Sequence, residues 1–103
     1  MKVLQIRTVE VCLDGTVIRE IRIDRTITRE FIGHLGDTGL LEYFPAFARP
    51  FFRITRAGAY VIKGVEGEET FRVVYLSDYE TQEELLRKHI ESLPGSEISE
   101  IGP

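Results

Sequence analysis

The chain has 103 residues and a mass of 11.8 kDa, so it has room for one hydrophobic core and not for two. With 43% hydrophobic and 29% charged residues, its composition excludes a disordered tail, a collagen and a disulfide scaffold. The 13 basic and 17 acidic residues give a net charge of -4, which disfavours nucleic acid as a partner because phosphates attract a cationic surface.

The N-terminal quarter of the chain has the pattern of a β-hairpin. Apolar residues occupy alternate positions over much of residues 2–13, with a slip in phase around Arg7–Thr8 that predicts a β-bulge or a strand apolar on both faces, and residues 16–25 are predicted to form the return strand. Between them, Asp14-Gly15 is a two-residue turn signal, because both residue types tolerate a positive φ. The predicted cross-strand pairs are Glu10 with Arg19 and Ile6 with Ile23.

Residues 28–36 are predicted to form a short helix. Thr28 is a suitable N-cap, because its hydroxyl can accept a hydrogen bond from a backbone amide of the first turn. Phe31 and Leu35 are four residues apart and share one face, and Gly36 is suited to end the helix.

The middle of the chain is predicted to be irregular and then to form three strands. Pro45 and Pro50 disfavour a long regular element within residues 37–50. The strands are expected over residues 51–56, 59–65 and 68–76, with turns at Ala57-Gly58 and Glu66-Gly67. The predicted cross-strand pairs at the second turn are Ile62 with Phe71 and Tyr60 with Val73.

The C-terminal part of the chain has the pattern of a second helix. Thr81 and Glu84 have the spacing of a capping box, which predicts that the helix starts at Thr81. Leu86 and Ile90 recur at helical spacing on its apolar face. The Pro-Gly pair at 94–95 is expected to stop the helix.

Together these elements predict one α+β domain in the order β-β-α-β-β-β-α. Tight turns make most strand pairings antiparallel, so the sheet is expected to be mainly antiparallel with about five strands. Both helices are expected to pack on one face, because a small sheet needs a covered face to be stable. The domain is predicted to span residues 1–96, with residues 97–103 as a short C-terminal tail.

The most unusual feature of the sequence is a segment rich in aromatic residues and arginine around the two prolines. Its candidate contact residues are Tyr43, Phe44, Phe47, Arg49, Phe51, Phe52, Arg53 and Arg56. Interfaces are enriched in these residue types, and a small domain has little interior in which to bury so many rings. The sequence therefore predicts an interaction or assembly module that forms a homodimer through this segment. The structural alternative is that the rings fill the core beneath the sheet.

A second hypothesis concerns the arginines of the same segment. Arg49, Arg53 and Arg56 could bind a small anion, in a ligand-binding protein or an accessory subunit of an enzyme. This hypothesis needs a cleft in which the guanidinium groups converge. Single-stranded nucleic acid ranks below both hypotheses because of the net negative charge.

No catalytic constellation, cofactor fingerprint or complete set of metal ligands stands out in the sequence, so an enzyme is not favoured and no cofactor or metal is predicted. Glu30 and His34 are four residues apart, which suits a helix ion pair better than a metal site that needs a third ligand. His89 falls near the end of the last helix, where it complements the dipole. Cys12 is expected to be a small buried apolar residue.

A second set of arginines alternates with acidic residues along the first hairpin and into the first helix. The set consists of Arg7, Arg19, Arg22, Arg25 and Arg29. Such a mixed-sign pattern is typical of a solvated strand face. It is therefore interpreted as a solvated face rather than a binding site.

The expected location of the protein is the cytoplasm, without a membrane partner. No apolar run approaches the roughly 18–20 residues of a membrane span. The N-terminal residues alternate in polarity and lack the continuous apolar region of a signal peptide. With one cysteine, the sequence also excludes an internal disulfide.

Overall fold

A computed structural model describes residues 1–93 as a six-stranded antiparallel sheet with two helices. The strands are β1 (Val3–Val11), β2 (Val17–Ile23), β3 (Leu40–Phe44), β4 (Phe51–Arg56), β5 (Tyr60–Val65) and β6 (Thr70–Tyr75). The helices are α1 (Arg29–Gly36) and α2 (Tyr79–Glu91). Each strand pairs antiparallel with its neighbours in the spatial order β1-β2-β6-β5-β4-β3. The predicted α+β class and antiparallel sheet are confirmed.

The sheet has one strand more than the five that the sequence predicts. The additional strand is β3, which lies inside the stretch 37–50 that was expected to be irregular. It is an edge strand of five residues that ends just before Pro45, so the proline follows the strand and removes no ladder hydrogen bond. Two prolines therefore exclude a long element here but not a short edge strand.

The predicted register of the first hairpin is wrong. Glu10 lies opposite Ile18 rather than Arg19, and Ile6 lies opposite Ile21 rather than Ile23. Two features cause the shift. The first is the turn, which contains more than the predicted two residues. A 2.8 Å hydrogen bond from the Cys12 amide to the Thr16 carbonyl closes the hairpin and shows this length. The ladder between β1 and β2 also contains two register shifts, the irregularities that β-bulges produce.

The register of the β5–β6 hairpin also differs from the prediction. Ile62 lies opposite Val73, and Tyr60 lies opposite Tyr75. The loop occupies the whole of residues 66–69, with Gly67 at a φ of 95°. Because the loop contains two residues more than the predicted turn, each pair is displaced by two positions, and the same side chains still face the core.

Both helices are present where the apolar spacing predicts them. The Thr28 hydroxyl accepts a 3.1 Å hydrogen bond from the Phe31 amide, which confirms the N-cap of α1. The capping box at Thr81 is wrong, because α2 already begins at Tyr79 after Asp78, whose φ is 45°. The predicted stop at 94–95 and the tail at 97–103 lie outside the described residues.

One hydrophobic core lies between the sheet and the two helices. The helices contribute Phe31, Ile32 and Leu35 from α1 and Leu86 and Ile90 from α2 to the same buried cluster as the inward side chains of the strands. Both helices therefore pack on one face of the sheet, as predicted, and leave the opposite face without a covering layer among residues 1–93. Neither described helix combines the length and the apolarity that a membrane crossing requires.

Tyr75 places a hydroxyl in the core with no hydrogen-bond partner among the described residues. Burial and the nearby Glu83 carboxylate raise the pKa of Tyr75. An unpaired buried hydroxyl costs about 1–3 kcal/mol. We therefore expect Tyr75→Phe to leave the free energy of unfolding unchanged or to raise it by up to about 1 kcal/mol, as measured by urea denaturation.

Tyr43→Phe is the control for this prediction. The Tyr43 hydroxyl donates a 2.7 Å hydrogen bond to the Glu66 carboxylate, so its removal should lower the free energy of unfolding by about 1 kcal/mol. A loss larger than 1 kcal/mol for Tyr75→Phe would show that its hydroxyl does have a partner.

Candidate functional site

The aromatic and arginine-rich segment divides between the two faces of the sheet, because alternate residues of a strand point to opposite sides. Phe52 is fully buried in the core. Tyr43 packs against the core from the edge strand and donates its hydroxyl to Glu66. These two rings therefore stabilise the fold, whereas Phe44 and Phe51, opposite each other on β3 and β4, point away from the helices.

Phe44, Phe47 and Phe51 form a cluster that we call the aromatic corner. The Phe44 ring lies 5.7 Å from the Phe51 ring and 6.4 Å from the Phe47 ring, between centroids. Phe47 sits in the loop after β3 and is 60% exposed. The three rings that were expected to anchor a contact are thus together at one corner of the uncovered side.

The three arginines of the segment do not converge. Arg49 donates to Glu68 at 2.6 Å and Arg53 donates to Glu42 at 2.8 Å. Arg56 points to the helix side of the sheet and donates to the Thr38 carbonyl at 2.9 Å. An anion site built from all three guanidinium groups therefore has no geometric basis.

We call the uncovered side of the sheet the open face. Its side chains form three rows that cross the strands from β1 to β3. The first row is Glu10, Ile18, Val74, Val61, Thr55 and Leu40; the central row is Arg7, Glu20, Arg72, Lys63, Arg53 and Glu42; the third row is Gln5, Arg22, Thr70, Val65, Phe51 and Phe44. Two largely uncharged rows therefore flank one row in which every residue is charged.

Acidic residues near the two ends of the central row contact three of its four cations. The Oε1 atom of Glu20 lies 2.9 Å from Arg7 Nε, and its Oε2 atom lies 3.6 Å from Arg72 Nε. Glu42 accepts the hydrogen bond from Arg53, which lowers the pKa of Glu42. With four cations and two anions, the central row still carries a net charge of +2.

Lys63 is the cation of the central row that makes no ion pair within residues 1–93. Its direct cross-strand neighbours are Arg53 on β4 and Arg72 on β6. Shallow depressions of about 350 and 400 Å³ flank it, and Val74 lines both of them. The middle of the open face is therefore an uncompensated positive site.

His34 and His89 join the C-terminal ends of the two helices. Each ring places its Nε2 atom 2.6 Å from the backbone carbonyl oxygen of the other histidine. Because a carbonyl can only accept, both Nε2 atoms must carry hydrogen. The rings stack with centroids 4.1 Å apart and planes within 5°. Each histidine therefore caps the opposite helix, and His34 contacts α2 rather than the expected Glu30.

Asp37 lies beside this histidine pair. Within residues 1–93, these three residues are the group whose ligand atoms are close enough to be considered as a metal site. One potential ligand atom from each of His34, Asp37 and His89 lies within 4.8 Å of the others. The ring nitrogen lone pairs lie in two parallel planes, so they do not point at one common position. In this arrangement the cluster is a helix junction, and a shared metal would require one ring to rotate.

Cys12 is partly exposed and differs from the buried residue that the sequence predicts. Its thiol lies 3.5 Å from the Glu10 carboxylate. Partial desolvation, together with the acidic neighbours Glu10 and Asp14, raises the pKa of Cys12. A thiol with a raised pKa is a poor nucleophile at neutral pH.

Arg19 connects the sheet to α2, which the sequence pattern does not reveal. Its Nε and NH2 atoms donate to the two carboxylate oxygens of Glu83 at 3.0 and 2.8 Å. NH1 donates to the Thr8 hydroxyl at 2.7 Å, and the guanidinium lies 5.6 Å from the centre of the Tyr79 ring. Arg19 thus belongs to a structural contact on the helix side and not to a solvated face.

Comparisons with protein-family models, with curated proteins and with solved structures find no match for this chain.

Proposed function

We propose that the protein is an assembly module that forms a homodimer by placing the open face of one copy against the open face of another. The observation that carries this proposal is the aromatic corner, which continues through Val65 along the third row on a face that has no covering layer among residues 1–93. Two antiparallel sheets commonly pack face to face through such side chains. The residues concerned, aromatic rings and arginine, are those in which interfaces are enriched.

The charges of the central row favour one particular symmetry. A two-fold axis parallel to the strands, between β5 and β6, places Arg7 opposite Glu42 and Glu20 opposite Arg53 of the other copy. An axis perpendicular to the strands would instead place each charge opposite itself. The strand-parallel axis therefore gives four favourable pairs in a dimer, two from each copy.

Sedimentation equilibrium tests this proposal with two matched variants. Phe47 and Leu85 are 60% and 57% exposed, but Phe47 lies on the aromatic corner and Leu85 lies on α2. Phe47→Asp should raise the dimer dissociation constant at least about tenfold, because it places a charge among apolar rings. Leu85→Asp should leave the constant unchanged.

Two outcomes would contradict the proposal. The first is a wild-type protein that remains monomeric at millimolar concentration. The second is a dimer that Leu85→Asp weakens as much as Phe47→Asp does, because the contact would then involve the helices.

A further inference from the structure

We infer that Lys63, together with Arg53 and Arg72, forms a binding site for a small oxyanion of the phosphate or carboxylate type. The three cations occupy one line across β4, β5 and β6, with Lys63 directly opposite each arginine in the register. Directly opposite residues in a sheet have β-carbons about 5 Å apart, and like charges in this position destabilise the pair. A bound anion removes that repulsion.

The arginines keep donors for such an anion. Arg53 uses its Nε atom for Glu42, and Arg72 approaches Glu20 through Nε at 3.6 Å, beyond hydrogen-bond distance. The terminal guanidinium nitrogens are therefore not consumed by these two contacts. Lys63 contributes three ammonium donors.

The surroundings of Lys63 suit a compact ligand. Lys63 lines both depressions beside it: the smaller one, of about 350 Å³, also has Arg53, Val61 and Val74 in its lining, and the larger one has Arg72. The two valines make one side of the smaller depression apolar, and an apolar wall lowers the local dielectric and strengthens the attraction between an anion and the cations. Glu42 also lines this depression, so a large anion that approaches its carboxylate would be repelled.

The anion is also expected to strengthen the homodimer, a step that rests on the proposed function. With the two-fold axis between β5 and β6, Lys63 of each copy lies opposite Arg72 of the other, so four cations surround the axis. This is the one part of the central row that lacks opposite charges in the dimer. An oxyanion between the copies neutralises it, so the dimer is expected to form more readily in phosphate than in chloride.

Anion binding is tested by thermal unfolding in inorganic phosphate against sodium chloride of equal ionic strength. A ligand that binds the folded state raises the melting temperature with its concentration. We expect this rise for the wild type and for Lys88→Gln, since Lys88 pairs with Glu84 on α2. Lys63→Gln should lose most of the rise, with a dissociation constant at least about tenfold weaker. An equal rise in both variants would overturn the inference.

Acetate, a compact carboxylate, distinguishes the two anion types at the same ionic strength. A larger shift in phosphate assigns the site to phosphoryl groups, and a larger shift in acetate assigns it to carboxylates. If neither anion shifts the melting temperature of the wild type beyond chloride, the inference is wrong.

Sedimentation in the two salts separates this inference from the proposed function. A tighter dimer in phosphate, lost in Lys63→Gln, supports both. A dimer of equal strength in the two salts refutes the effect of the anion on assembly and leaves the dimer intact. A monomer that still binds phosphate through Lys63 refutes the dimer and retains the anion site.

Discussion

Gly64→Ala is expected to lower the free energy of unfolding by about 2–3 kcal/mol, in the upper part of the range of about 1–3 kcal/mol that overpacking a tight core costs. Gly64 lies directly opposite Phe52 in the β4–β5 ladder. A β-carbon at this position would lie 2.6 Å from Phe52 Cζ and 3.1 Å from the β-carbon of Phe71. Because the Phe52 ring is fully buried, it has no free space into which to move. Urea denaturation measures the loss.

Gly33→Ala is the matched control. A β-carbon on Gly33 would meet no atom within 4 Å, and the residue lies inside α1. Because alanine favours a helix over glycine by about 0.8–1.0 kcal/mol, this variant should be more stable than the wild type. If Gly64→Ala had the same free energy of unfolding as the wild type, the Phe52 ring could not lie as close to Gly64 as described above.

Glu83→Ala should destabilise the protein by about 2–3 kcal/mol, because it leaves Arg19 without its two-point carboxylate partner. The side chains of Arg19 and Glu83 are only 21% and 13% exposed. This pair ties β2 to α2 and raises the pKa of Arg19, which is therefore charged at every ordinary pH. Loss of the acid leaves a half-buried cation against the helix.

The neighbouring acid of the same helix provides the comparison. Glu84 pairs with Lys88 at 3.5 Å, and its side chain is 69% exposed, so Glu84→Ala should cost less than about 0.5 kcal/mol. Equal losses for the two variants, measured in urea, would mean that the Arg19–Glu83 contact contributes no more than a surface ion pair.

Apolar periodicity predicts most of the fold, because burial imposes a period of two on strands and of 3.6 on helices. It correctly gives α1, α2 and five of the six strands. It misses β3, since an edge strand of five residues before Pro45 has too short a pattern to distinguish from a loop. It also misplaces both hairpin registers, because Asp14-Gly15 and Glu66-Gly67 indicate where a turn lies but not how many residues the loop contains.

The candidate site is less predictable than the fold. The sequence identifies Phe44, Phe47 and Phe51, which are close together along the chain. It does not identify Lys63 and Arg72, because each is an ordinary exposed cation until the sheet places them side by side. The contact between His34 and His89 likewise cannot be predicted from the sequence, since the two residues are 55 positions apart.

The proposed homodimer requires that two copies meet through their open faces. An isotope-filtered NOE experiment on a mixture of labelled and unlabelled protein detects contacts between copies alone. The strand-parallel axis predicts such contacts between the methyl groups of Val61 and Val74, and between the ring protons of Phe44 and the side chain of Gln5. Contacts between copies that involve Leu85 and the helices, with none from these four residues, would contradict the account.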